Sequence, residues 1–195
     1  MFNFDEKELK DKLAGVANVR RSLFAAMVAT RLSVGYEFYA GGDSGKFNAA
    51  LDYLWKSLGA EVSVDEVGHY VDEAIALIPG ESEGPRRFAA QADDAAAALA
   101  YALRSLIDPS PQEAAWAARR AYESADNLVI QRTGVEIGGE AENRVIEDPL
   151  IQSELERQQF DVEVAMSSPL DGTTLGSLRS ECHSWGTKFF SKISS

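Results

Sequence analysis

Apolar residues recur along this chain at helical spacing, while the strict alternation expected of half-buried strands is nearly absent. From Phe47 to Leu58 the apolar positions fall at i, i+3, i+4, i+7, i+8 and i+11, which is typical of an amphipathic helix. The preceding helix carries two neighbouring apolar rows, one through Leu23 and Met27 and one through Phe24 and Val28. Two rows on one helix indicate a position in the core, so we expect an all-α protein.

Capping signals mark where several helices begin. Ser63 with Glu66 and Ser110 with Glu113 have the spacing of capping boxes, and Asp148 precedes a proline at the first helical position. Pro79 marks the end of the helix that begins after Ser63. We predict a single-domain bundle of about seven helices, near residues 5–14, 19–32, 47–58, 64–78, 87–107, 111–132 and 149–166.

The C-terminal segment 167–195 differs in composition from the rest. Five Ser or Thr and two Gly lie between Ser167 and Ser177, yet Trp185, Phe189 and Phe190 are too apolar for a disordered tail. We therefore divide the chain into a helical bundle domain, 1–166, and a Ser/Thr-rich tail, 167–195, with a short docked helix near 177–182.

Composition excludes several classes of protein. The sequence pI is about 4.6, whereas nucleic-acid binding needs clustered Lys and Arg, so we expect no nucleic-acid partner. No run approaches the roughly 20 apolar residues of a membrane span. The charged N-terminus and the lone Cys182 favour cytoplasmic residence.

The negative charge is concentrated in one stretch. Nine carboxylates lie between Glu136 and Glu163 against only Arg144 and Arg157, a net charge of −7 out of −12 for the chain. Such a stretch attracts basic proteins. The predicted partner-binding residues are Glu136, Glu140, Glu142, Glu147, Asp148, Glu154 and Glu156.

No catalytic pattern is evident. Cys182 and His183 are adjacent, but neighbouring residues on a helix point about 100° apart, and no known zinc-ligand spacing occurs. Glu154 and Asp161 share one helix face, yet the Glu-x-x-His pairs typical of di-metal bundles are missing. We expect no metal and no cofactor.

Asp94 is the one residue that keeps open the alternative of a ligand-binding or catalytic pocket. Aspartate is a poor mid-helix residue, and Asp94 lies close to the apolar face of its alanine-rich helix, so we expect it to be buried and paired. The candidate partners are above all Arg31, or else Arg119 or Arg120. The pair is either a structural ion pair, which we favour, or part of a ligand pocket.

Several motifs together resemble the bacterial YjaG-like family, a domain of unknown function (DUF416). Residues 24–32 read FAAMVATRL, similar to the family's F-x-A-x-x-x-x-R segment, and residues 51–58 read LDYLWKSL, similar to its L-D-x-x-W-x-x-L. Asp94 falls where the family has an aspartate in an alanine-rich helix, and residues 147–149, EDP, followed by Glu154, resemble the family's E-N-P entry to the last long helix. Leu155 and Gln159 depart from the family, which has tryptophans there. The resemblance implies an all-helical fold and little about activity.

From these observations we expect a non-enzymatic acidic binding protein, and specifically an immunity protein that neutralises a secreted bacterial toxin. One alternative is a small-molecule or metal-dependent enzyme built around Asp94 and helix-borne acids. Another is a housekeeping protein that acts as a homodimer. An Asp94 that lines a pocket with other titratable groups would favour the enzyme. An Asp94 that is buried in an ion pair, with the acidic stretch exposed, would favour the binding protein.

Overall fold

A computed structural model describes residues 1–80, 86–134 and 145–194. Regular structure in these ranges is entirely helical, which confirms the all-α prediction, and it comprises eight helices where we expected about seven. The predicted partner-binding residues Glu136, Glu140 and Glu142 lie outside the described residues. The helices are α1 Glu6–Ala14, α2 Asn18–Ala40, α3 Gly45–Ser57, α4 Val64–Ala76, α5 Ala89–Arg104, α6 Pro111–Thr133, α7 Pro149–Ser167 and α8 Gly172–Ser194.

The helix starts follow the capping residues seen in the sequence. The hydroxyl of Ser63 accepts a hydrogen bond from the Glu66 amide, and the Ser110 hydroxyl accepts one from the Glu113 amide. The Asp148 carboxylate caps α7 in the same way. These side chains satisfy amides that have no partner inside their own helix, so each start is encoded locally.

Helix α5 begins two residues later than predicted because of Phe88. This buried residue adopts a left-handed conformation with φ of 65°, which is incompatible with helix and is uncommon outside glycine. The turn at Phe88 lets its ring pack in the core.

Helix α2 is the central element. Every residue from Ser22 to Tyr36 is buried, so this helix is covered on all sides, as its two apolar rows predicted. It packs on α3, α5, α6, α7 and α8. The alanine-rich faces of α5 and α6 allow close helix approach. A polar side chain in the middle of α2 is therefore surrounded by protein.

The C-terminal segment forms a helix of 23 residues, α8, where we expected only a short one near 177–182. It lies against α2, and two glycines permit the close approach. A Cβ on Gly186 would collide with the backbone oxygen of Arg31, and a Cβ on Gly35 would lie 2.9 Å from Cζ of Phe190. The Ser and Thr residues that suggested fraying lie mostly on the solvent side, whereas Cys182 and Phe190 are buried.

Candidate functional site

A group of charged side chains is buried where α2, α7 and α8 meet. Arg31 of α2 is fully buried; its Nη2 donates to Glu154 Oε1 at 2.8 Å, and its Nη1 donates to Asp161 Oδ2. Arg157 Nε donates to Asp161 Oδ1 at 2.8 Å. Asp161 thus bridges two guanidinium groups. We call Arg31, Glu154, Arg157 and Asp161 the buried ionic cluster.

The cluster is tied to the helices on either side. Arg157 Nη1 donates to Glu181 Oε1 of α8 at 2.9 Å, and its Nη2 lies 3.6 Å from Cys182 Sγ. Gln158 Nε2 donates to Glu154 Oε1 at 2.9 Å and to the Ala118 carbonyl of α6 at 3.0 Å. The arrangement therefore joins four helices.

Helical spacing explains how α7 presents these groups. Glu154, Arg157, Gln158 and Asp161 fall at i, i+3, i+4 and i+7, so they share one face of the helix. That face is turned inward beside the apolar row through Leu155. Charges at such positions are retained only when each has a partner, because an isolated buried charge is very costly.

Burial and ion pairing shift the pKa of Arg31 in opposite directions. Burial opposes the charge on Arg31, but the carboxylates of Asp161 and Glu154 outweigh it and raise the pKa of Arg31. Burial also raises the pKa of the Cys182 thiol to about 12. Cys182 therefore stays protonated at neutral pH, and a protonated thiol is a poor nucleophile.

The outer face of α7 has a different character. Glu156, Phe160 and Glu163 are exposed and fall at i, i+4 and i+7, which places them in one stripe. Neither Glu156 nor Glu163 forms an ion pair with any described residue. Glu147, just before this helix, is also exposed. We call Glu147, Glu156 and Glu163 the outer acids.

The predicted partner-binding residues therefore divide into distinct groups. Glu147 and Glu156 are exposed, as surface binding requires. Asp148 is half-buried, caps α7 and pairs with Arg132. Glu154 is only 3% exposed, so its assignment to the binding surface is corrected: it neutralises Arg31 from within.

The structure does not bring Arg31 and Asp94 together, which corrects our favoured pairing. Asp94 is 2% exposed, and its Oδ1 lies 3.5 Å from Nη1 of Arg120, one of the other candidates. Its Oδ2 has no hydrogen-bond partner among the described residues. Burial is the main cause that raises the pKa of Asp94 to about 7, with Arg120 opposing the rise.

The histidines lie apart from any thiol or metal arrangement. His183 Nε2 is 3.3 Å from Glu37 Oε1, in a polar hollow of about 380 Å³ between α2, α3 and α8, while Cys182 lies on the inner side of α8. His69 is exposed and 3.8 Å from Glu73. In the ranges that the structure describes, no three His, Cys, Asp or Glu side chains are placed to hold a metal ion, and no helix is long and apolar enough to span a bilayer.

Comparison with known families agrees with this fold. Residues 8–188 match the family described as "Protein of unknown function (DUF416)". The chain belongs to this family. The crystal structure of a DUF416 family protein from Shewanella baltica OS155 is similar, with a TM-score of 0.76 and 16% sequence identity over 93% of this chain and 94% of that one. At that identity the likeness shows a shared DUF416 fold. None of the curated proteins matches the chain.

Sequence reasoning missed four functional candidates of the DUF416 chain: Arg157, Gln158, Glu181 and Trp185, whose ring centre lies 5.4 Å from the Arg31 guanidinium. The available signal was the polar spacing 154, 157, 158 and 161 on α7, which repeats with helical period beside an apolar row. The α8 residues carried no such signal because their partners lie 24 or more positions away in the chain.

Proposed function

We propose that this DUF416 protein is a non-enzymatic, single-domain helical bundle that binds a basic protein in the cytoplasm. In its most specific form, the proposal is an immunity protein that neutralises a secreted bacterial toxin by direct binding. The observation that carries it is the set of outer acids, which have no cationic partner among the described residues. Carboxylates that are not neutralised within the molecule attract a basic surface and raise its association rate.

The scaffold supports the same role. The outer acids Glu156 and Glu163 stand on a helix whose inner face is held by Arg31 through Glu154 and Asp161. A surface fixed in this way loses less conformational entropy when it binds. Rigid presentation of charge suits a protein that must capture its target quickly and hold it.

The enzymatic alternative around Asp94 has less support. Asp94 is buried beside Arg120 and does not line the polar hollow at His183. Catalytic acids must reach a substrate, so the burial of Asp94, together with the exposure of the outer acids on another helix, favours binding.

The test begins with the gene beside the one that encodes this chain. If it encodes a basic toxin domain, co-expression with the DUF416 protein should restore growth, and the purified pair should form a complex of fixed stoichiometry by size-exclusion chromatography with light scattering. The same measurement reports whether the free protein is a homodimer. Failure to rescue growth or to bind any basic protein encoded nearby would refute the proposal.

A further inference from the structure

A surface hollow of about 310 Å³ lies between α7 and α8. It is lined by Ser153, Glu156, Arg157, Phe160, Glu181 and Trp185. Arg157 belongs to the buried ionic cluster and is almost fully covered, whereas Phe160 is 46% exposed. The hollow therefore has a charged floor, an exposed aromatic ring and acids at its edge.

The charges around this hollow are not balanced. Arg157 is the sole cation among the six lining residues, and it is bonded to Asp161 and Glu181. Arg31 behind it is bonded to Glu154 and Asp161. With Glu156 included, two guanidinium groups face four carboxylates, which leaves a net charge of −2. The hollow thus favours a cation.

The aromatic side chains favour a cation as well. The guanidinium of Arg157 lies 5.0 Å from the centre of the Phe160 ring, and the exposed part of that ring remains open to solvent. Trp185 is held in place by a stacked Phe189 at 5.0 Å and by Arg31 at 5.4 Å. Aromatic faces attract cations through the ring quadrupole, and planar guanidinium groups also stack on them.

We propose that this hollow binds the guanidinium group of an arginine side chain presented by the basic partner. The guanidinium stacks on the exposed face of Phe160 and donates hydrogen bonds to the carboxylates of Glu156 and Glu181. Arginine fits better than lysine because its planar group both stacks and donates several hydrogen bonds to carboxylates. The identity of the partner rests on the proposed function, whereas the chemistry of the ligand does not.

The test uses acetyl-arginine N-methylamide as the probe and its citrulline counterpart as the neutral control of the same shape. In NMR titrations at constant ionic strength, the arginine probe should move the Trp185 indole signal and the Phe160 ring signals saturably, whereas the citrulline probe should not. The lysine analogue should bind more weakly. Equal shifts with arginine and citrulline, or shifts centred elsewhere on the protein, would overturn the inference.

Matched variants locate the site. Glu156→Gln and Phe160→Ala should each weaken the arginine probe by about fivefold or more, because each removes one charged or aromatic contact. Glu61→Gln removes the same charge from an exposed residue between α3 and α4, outside the hollow, and should leave binding unchanged. If Glu61→Gln weakens binding as much as Glu156→Gln, the probe responds only to the overall negative charge of the protein and the hollow is not a site.

The outcomes separate this inference from the proposed function. If the probe binds in the hollow but no basic protein is neutralised, the arginine site stands and the immunity role falls. If a basic toxin is neutralised equally well by the wild type, Glu156→Gln and Phe160→Ala, the immunity role stands and the arginine site is refuted as the contact.

Discussion

We predict that the carboxyl group of Asp94 makes the stability of this protein depend on pH. It is buried within α5, one of its oxygens has no hydrogen-bond partner in the described part of the chain, and Arg120 is 3.5 Å from the other. Burial raises its pKa from 3.8 to about 7, and the nearby charges of Asp93 and Glu123 add to the rise. We therefore expect Asp94→Asn, which keeps the shape and removes the charge, to stabilise the protein at neutral pH.

The magnitude follows from linkage. An acid whose pKa is raised by folding binds its proton more tightly in the native state, so its stabilising effect is present at low pH and is lost as the pH rises from 3.8 to about 7. A shift of this size corresponds to about 4 kcal/mol at 1.36 kcal/mol for each pKa unit. Asp94→Asn should be more stable than the wild type by about 2 kcal/mol near pH 5 and about 4 kcal/mol near pH 8.

Urea denaturation of both proteins between those pH values measures this difference. Asp72→Asn is the matched control: Asp72 is exposed on α4, so the same substitution there should change the free energy of unfolding by no more than about 0.5 kcal/mol at either pH. A constant difference between Asp94→Asn and the wild type, or a destabilised Asp94→Asn at pH 8, would refute the reasoning.

Two further predictions concern the buried ionic cluster and the docking of α8. Asp161→Asn should lower the free energy of unfolding by about 3–5 kcal/mol, because it leaves Arg31 and Arg157 short of a carboxylate. Glu163→Gln, on the exposed side of α7, should change the free energy of unfolding by no more than about 0.5 kcal/mol. Equal effects of the two variants in urea denaturation would contradict a stabilising role of the buried ionic cluster. Gly186→Ala should destabilise the protein by about 1–3 kcal/mol, because the added Cβ collides with the Arg31 carbonyl. Gly176→Ala, whose Cβ would meet no atom within 4 Å, should stabilise the protein by up to about 1 kcal/mol. A stabilising Gly186→Ala would show that α8 does not dock this closely on α2.

Local signals account for the parts of the fold that the sequence predicted. Ser63, Ser110 and Asp148 cap their helices through bonds to residues two or three positions ahead, so the capping motif contains both partners. The two apolar rows on α2 likewise require only helical periodicity. Interactions of this kind need no knowledge of the tertiary structure.

The partner of Arg31 depended on the tertiary structure. Glu154 and Asp161 lie 123 and 130 positions away, and the sequence favoured Arg31 over Arg119 and Arg120 as the partner of Asp94. The extent of α8 was missed for a related reason: Gly186 weakens a helix when read locally, yet it is the residue that lets α8 approach α2. Only the docked structure turns this glycine into a stabilising feature.

The outer acids could be assigned only in part. The acidic stretch was visible as composition, but composition does not tell an inward carboxylate from an outward one. The position of each residue around the helix separates them: Glu154 and Asp161 share the face that carries Arg157, whereas Glu156 and Glu163 lie on the opposite side. Glu154 and Asp161 are neutralised by Arg31 and Arg157, whereas Glu156 and Glu163 have no cationic partner among residues 1–80, 86–134 and 145–194.

The most direct test of the central claim is the rate of association with the proposed partner, a basic toxin domain encoded beside this gene, measured by stopped flow at low and high salt. Replacing the outer acids together, Glu147→Gln, Glu156→Gln and Glu163→Gln, should slow association at low salt by about tenfold and reduce its salt dependence. The control removes three exposed acids elsewhere, Asp43→Asn, Glu61→Gln and Asp72→Asn, and should change the rate far less. Equal rates for the two triple variants would contradict a binding surface formed by the outer acids.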